Sequence, residues 1–227
     1  MTVHVFESTQ RLAGHVVFLS AGPPADATEF LIDAFEEAVI SCARAVLSEG
    51  GRLVFGGHPA VSPLVAMVAG EYVRWDAAEP LIDIYQAEPF RGHLPDETLR
   101  LFNLGHARIH WTPQMNREEF EPGGPLPKES LGEMRRRMIG ETNPVAMIAI
   151  AGKQGITDEY DAFRELRPKA PIFLLPRTGG HTRDLVGRFA AINAEEEIHL
   201  EFDPPAFYPI VLQNVVARIA AEGSAYA

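Results

Sequence analysis

The 227-residue sequence predicts a doubly wound α/β fold, a mostly parallel sheet flanked by helices on both faces, as one domain over 1–227. Three observations carry that prediction. Helix-period segments alternate with short apolar runs, the order that builds a parallel sheet through crossover connections. Runs such as HVVFL (15–19) and VAMIAIA (145–151) are unbroken, as strands covered on both faces must be. Four of the runs end in glycine-bearing turns, at the sheet edge where such folds bind ligands.

The elements follow in order. HVVFL (15–19) reads as a buried strand, followed by the turn SAGPPADA. Asp26 and Glu29 have capping-box spacing, and Leu31, Phe35, Ala38, Cys42 and Val46 recur at helical spacing until Gly50-Gly51 stops the helix. Arg52 to Phe55 is the second strand, and Ser62 to about Trp75 a helix. LIDIYQ (81–86) is a strand, Asp96 caps a short helix through Asn103, and ARIHW (107–111) is the next strand. TPQMNREEFEPGGPLP (112–127) reads as a mobile loop and a lid. A helix from Lys128 to about Glu141 leads into VAMIAIA, and another runs from Thr157 to Leu166. IFLLP (172–176) is a strand, Thr182 caps a helix to about Ala191, IHLEF (198–202) is an edge strand, and Tyr208 to Ala221 closes as a helix.

Composition narrows the function. With 46% hydrophobic residues the chain can bury a full core, and no apolar run approaches the roughly 20 residues a membrane-spanning helix needs. A soluble, cytoplasmic protein without membrane contact is expected. A net charge of −11 argues against a nucleic-acid partner, which needs a basic face to displace counterions. Cys42 is the single cysteine, so no intramolecular disulfide forms, and its apolar helix position marks a packed thiol. His106 and His110 can share a strand face, but a metal site needs a third ligand; neither a metal nor another cofactor is expected.

The four turns are Ser20-Ala21-Gly22, Gly56-Gly57-His58, Gly152-Lys153-Gln154-Gly155 and Thr178-Gly179-Gly180. Each is explained by a strand-to-helix corner that needs positive φ. Together they also suit a phosphate, because helix N-termini offer unpaired N–H groups and the positive end of a dipole. GKQGITDE lacks the glycine spacing and the Lys-Ser/Thr pair of a nucleoside triphosphatase loop. His58 can donate to a phosphate or stack on a base, and Ser20 and Ser62 can donate hydroxyls or cap helices.

VVFLSAG, LVFGGHPAVSPLV, MRRRMIGETNPVAMIAIAGKQGITDEYDAF and IFLLPRTGG, taken in that order, resemble the SLOG superfamily over roughly residues 15–180. Its best-known members, the Lonely guy enzymes, are phosphoribohydrolases of N6-modified adenosine monophosphates. The resemblance implies a Rossmann-like fold, glycine turns that hold a nucleotide phosphate, an arginine and a glutamate acting at the N-glycosidic bond, and a homodimer. Against the family motif PGGxGTxxE, Gly152 and Gly155 match two glycines and Glu159 the glutamate, while Ala151, Lys153 and Ile156 replace the proline, a glycine and the threonine. The helix arginine falls on Arg136 or Arg137.

Two readings follow. In the preferred one the chain is a divergent SLOG domain that senses a nucleotide-derived small molecule, a nucleoside phosphate or a ligand related to NAD or ADP-ribose, and reports to a separate effector protein in signalling or defence. In the alternative it hydrolyses the N-glycosidic bond of nucleoside 5′-monophosphates, with Glu159 and Arg136 or Arg137 as catalytic groups. Lys153 and Ile156 favour the sensor; the retained glutamate and arginine favour the enzyme. Helix-dipole complementation by Asp158 and Glu159, and a solvated face at Arg135, Arg136 and Arg137, are the plain structural explanations of the same residues.

Overall fold

The apolar runs of the sequence become six parallel strands in a computed structural model that describes residues 10–25, 28–72, 80–192 and 207–222. The strands are β1 (Val16–Gly22), β2 (Arg52–Phe55), β3 (Ile82–Ala87), β4 (Ala107–Thr112), β5 (Ala146–Ala151) and β6 (Ile172–Leu175). The helices are α1 (Glu29–Ser48), α2 (Ser62–Ala69), α3 (Asp96–Asn103), α4 (Lys128–Thr142), α5 (Gln154–Leu166), α6 (Gly180–Ile192) and α7 (Tyr208–Glu222). Spatial order is β4-β3-β2-β1-β5-β6, so the chain builds outward from β1 to β4 and then returns to place β5 on the other side of β1. That reversal opens a crevice beyond the carboxyl ends of β1 and β5, where a doubly wound sheet takes its ligand.

Helices cover both faces of the sheet. Phe35 of α1, Val65 of α2 and Leu212 of α7 pack on one side; Met138 of α4 and Phe163 of α5 pack on the other. Phe163 stacks on Phe18 of β1 at 6.0 Å, which seats α5 directly over the central strand. Cys42 is fully buried, and desolvation pushes its thiol up to about 12, so it packs as an inert apolar group.

Several boundaries differ from the sequence expectation, each for a local reason. Asp26, Trp75 and the 198–202 strand lie outside the described residues. Thr28 caps α1 by accepting the amide of Leu31 at 3.3 Å. Asp96 is the first residue of α3, after Pro95. α5 begins at Gln154, three residues early, because the glycine loop turns straight into the helix. Thr182 does not cap α6; its hydroxyl donates to the Ala151 carbonyl at 2.8 Å.

The 112–127 segment, expected as a lid, is tied to α4. Glu118 accepts the amides of Glu129 (3.1 Å) and Ser130 (2.8 Å) and the Ser130 hydroxyl (2.8 Å), so it serves as the cap that Pro127 cannot provide. His110 also has a partner that sequence spacing did not reveal. Its Nε2 lies 2.7 Å from Oδ1 of buried Asp83, whose other oxygen takes Arg52, and its ring stacks on Tyr85. Among the described residues no group of three His, Cys, Asp or Glu is placed to hold a metal, and no helix is long and apolar enough to cross a membrane.

Candidate functional site

A cavity of about 690 Å³ opens at the carboxyl ends of β1, β2 and β5. Three of the four glycine-bearing segments form its polar end: Ala21 and Gly22, which the structure places in the last residues of β1 and not in a turn after it, Gly56 and Gly57 with His58 after β2, and Gly152, Lys153 and Gly155 after β5. The ends of β1 and β5 lie side by side at this edge: a Cβ on Gly22 would be in ordinary contact, 3.6 Å, with the Gly152 Cα.

Glu159 stands on the second turn of α5 and reaches back over β1. It accepts a hydrogen bond from the buried Ser20 hydroxyl at 2.5 Å, and its Oε1 lies 3.8 Å from Nε of Arg135 on α4. Arg135 also pairs with Asp158 at 3.2 Å, and its Nε has no hydrogen-bond partner although the atom is buried. Burial raises the pKa of Glu159 above the usual carboxylate value, against the opposing pulls of Arg135 and the Ser20 bond. A buried carboxyl group with a raised pKa beside an arginine, at the wall of a cavity, is the arrangement expected of a functional carboxylate.

Cationic and donor groups gather opposite. Lys153 occupies the N-cap position of α5 without forming a side-chain cap; its carbonyl accepts the Ile156 amide at 2.9 Å, and the Gln154 and Gly155 amides before it have no side-chain cap. His58 accepts the Ala60 amide at Nδ1 (3.1 Å), so the neutral ring carries its proton on Nε2, which lies toward Gly22. Desolvation first, then the charge of Lys153, lower the His58 pKa and hold the ring neutral at pH 7. Gln86 of β3 donates to the Gly56 carbonyl at 2.8 Å and braces the β2 turn from behind.

The opposite end of the cavity is apolar. Phe90, His93 and Leu94, which follow β3, meet Phe120 of the 112–127 loop and Leu131 and Met134 of α4. Phe90 and Phe120 lie 4.5 Å apart, and His93 contacts Phe120 edge-on at 5.3 Å. Sequence reasoning had no motif for these residues, since their meeting depends on how two loops cross.

Other expected site residues fall elsewhere. Arg136 and Arg137 point away from the cavity, paired with Glu165 and Glu133 on the exposed faces of α5 and α4; the helix arginine that reaches the cavity is Arg135. Gln154 faces solvent and donates to Asp158. Thr178, Gly179 and Gly180 sit behind the β5 turn, not on the cavity surface. The Thr178 hydroxyl is used by Ala151 and Leu175, and Gly180 is pressed on the Gly152 backbone. Ser62 is buried and accepts the Thr98 hydroxyl, so it is not available to an anion.

Comparison with known proteins gives three findings. The model of the SLOG cluster3 family matches residues 25–204, most of the chain. The X-ray structure of TM1055, a target of the Northeast Structural Genomics Consortium, is similar in fold, with a TM-score of 0.52 and 15% identity over 88% of this chain and 98% of that one. No curated protein matches the chain.

Proposed function

The chain belongs to the SLOG cluster3 family, and on that premise we propose that its cavity binds a nucleotide-derived ligand, with the phosphate at the β5 turn and the rest of the ligand in the apolar end. The observation that carries this reading is the convergence of three glycine turns on Lys153 and the uncapped N-terminus of α5. Bound ligand is reported to a separate effector, and the family resemblance supports assembly as a homodimer.

Lys153 carries the charge of the phosphate subsite. Lys153→Ala is expected to weaken adenosine 5′-monophosphate binding by roughly 10- to 100-fold, the loss of a charge-assisted bond, while the melting temperature stays unchanged because the side chain is exposed. Isothermal titration and a thermal melt check both halves. Unchanged affinity would remove the phosphate from this turn.

A second reading is favoured by one specific arrangement, the Ser20–Glu159–Arg135 contact at the cavity wall. In it the ionised Glu159 stabilises the positive charge that develops on a ribose ring as the N-glycosidic bond breaks; water adds its oxygen to the ring carbon and gives up a proton to solvent, and the departing base takes one up from solvent. Arg135 sets the charge state and position of that carboxylate. Incubation with a panel of nucleoside 5′-monophosphates and NAD separates the readings: release of free base supports hydrolysis, and binding without product supports the sensor.

A further inference from the structure

We infer that Thr178 and Thr182 are positioning residues that hold Ala151 in the left-handed conformation and thereby set the shape of the ligand-binding turn. Ala151 ends β5 with φ +52°, a region an alanine seldom adopts. Both of its backbone polar groups are taken by threonine hydroxyls, Thr178 from the β6–α6 connection and Thr182 from the first turn of α6. Its amide donates to Thr178 Oγ1 at 2.8 Å, and its carbonyl accepts from Thr182 Oγ1 at 2.8 Å. Thr178 Oγ1 in turn donates to the Leu175 carbonyl at 2.6 Å, which fixes the hydroxyl's orientation so that its lone pair faces the Ala151 amide. Both threonines are fully buried, so no water substitutes for them.

The consequence is felt at the next residue. Gly152 continues with φ +77°, and its carbonyl accepts the His181 amide at 3.1 Å, so two successive left-handed residues swing the chain out of the sheet and into the cavity wall. A Cβ on Gly180 would lie 2.2 Å from the Gly152 oxygen, which shows how tightly the connection presses on the turn. The Thr178-Gly179-Gly180 stretch thus acts on the ligand through the β5 turn, as a latch on its far side.

The test uses the ligand-free protein first; only its last arm rests on the nucleotide reading above. Ala151→Gly alone is expected to raise the melting temperature by about 2–4 °C, because glycine adopts the left-handed state without strain while both threonine bonds remain. A fall in melting temperature, the ordinary result for glycine in a strand, would overturn the inference. Thr178→Val is expected to speed hydrogen exchange at amides 152–156 by roughly tenfold relative to 147–150, and Thr178→Ser to leave it within about threefold. Adding Ala151→Gly to Thr178→Val is expected to restore the slow exchange, a rescue that a general packing role would not give. Adenosine 5′-monophosphate affinity should follow the same order. If the wild type fails to bind it, the nucleotide reading falls while melting and exchange still decide the latch.

Discussion

Replacing Gly152 with alanine is expected to destabilise the protein by about 3 kcal/mol, lowering its melting temperature by roughly 6–12 °C, and to abolish nucleotide binding. Two costs add. The backbone stands at φ +77°, where a side chain is strained whatever the space around it. The space is also filled, since the new Cβ would lie 2.0 Å from Cγ1 of Ile156 and 3.3 Å from its Cβ. Ile156 is itself buried and branched on the first turn of α5, so it cannot rotate away cheaply. Relief therefore requires the turn to move, and the turn is the proposed phosphate seat. A thermal melt with a titration of adenosine 5′-monophosphate checks this; a variant that melts and binds like the wild type would mean that the turn is neither tight nor involved.

Glu159→Gln carries the largest expected effect on chemistry. If the cavity cleaves N-glycosides, the substitution lowers base release by about 10²- to 10⁴-fold while nucleotide affinity changes only a few-fold, because glutamine keeps the shape and the Ser20 contact but not the charge. The same variant makes a stability prediction with a definite sign. The folded-state pKa of Glu159 is raised above its unfolded value, so the neutral carboxyl favours the fold at low pH and that contribution is lost as pH rises through the folded value. Glutamine never ionises. The variant should melt with the wild type near pH 4 and above it at pH 7–8, and a melting difference independent of pH would contradict the assigned environment of the carboxylate.

Most of the fold was legible because it depends on local pattern. Unbroken apolar runs marked β1, β5 and β6, short runs of mixed character marked β2, β3 and β4, and helical spacing marked the helices between them. The polar end of the cavity was legible for the same reason, since a parallel sheet brings glycine turns at strand ends to one edge; three of the four reach the cavity there, and the turn after β6 packs behind them. The helix arginine was misplaced by motif counting across Asn143-Pro144, yet the sequence held the answer. Leu131, Met134 and Met138 form the inward stripe of α4, and Arg135, four residues beyond Leu131, borders it, while Arg136 and Arg137 rotate outward. Thr178 was counted in the phosphate site as part of a glycine turn at a strand end; that its hydroxyl faces Ala151 follows only from the packing of the β6–α6 connection against β5. The Phe90–Phe120 wall had no local signature at all, being a contact between loops about 30 residues apart.

The central claim is that this cavity seats a nucleotide phosphate on the β5 turn, and a crystal structure of the protein soaked with adenosine 5′-monophosphate tests it most directly. The account predicts the phosphate over the amides of Gly152 to Gly155 within reach of the Lys153 ammonium, the ribose beside Glu159, and the base toward Phe90 and Phe120. A nucleotide bound elsewhere on the molecule, or one lying in the cavity with its phosphate away from that turn, would contradict it.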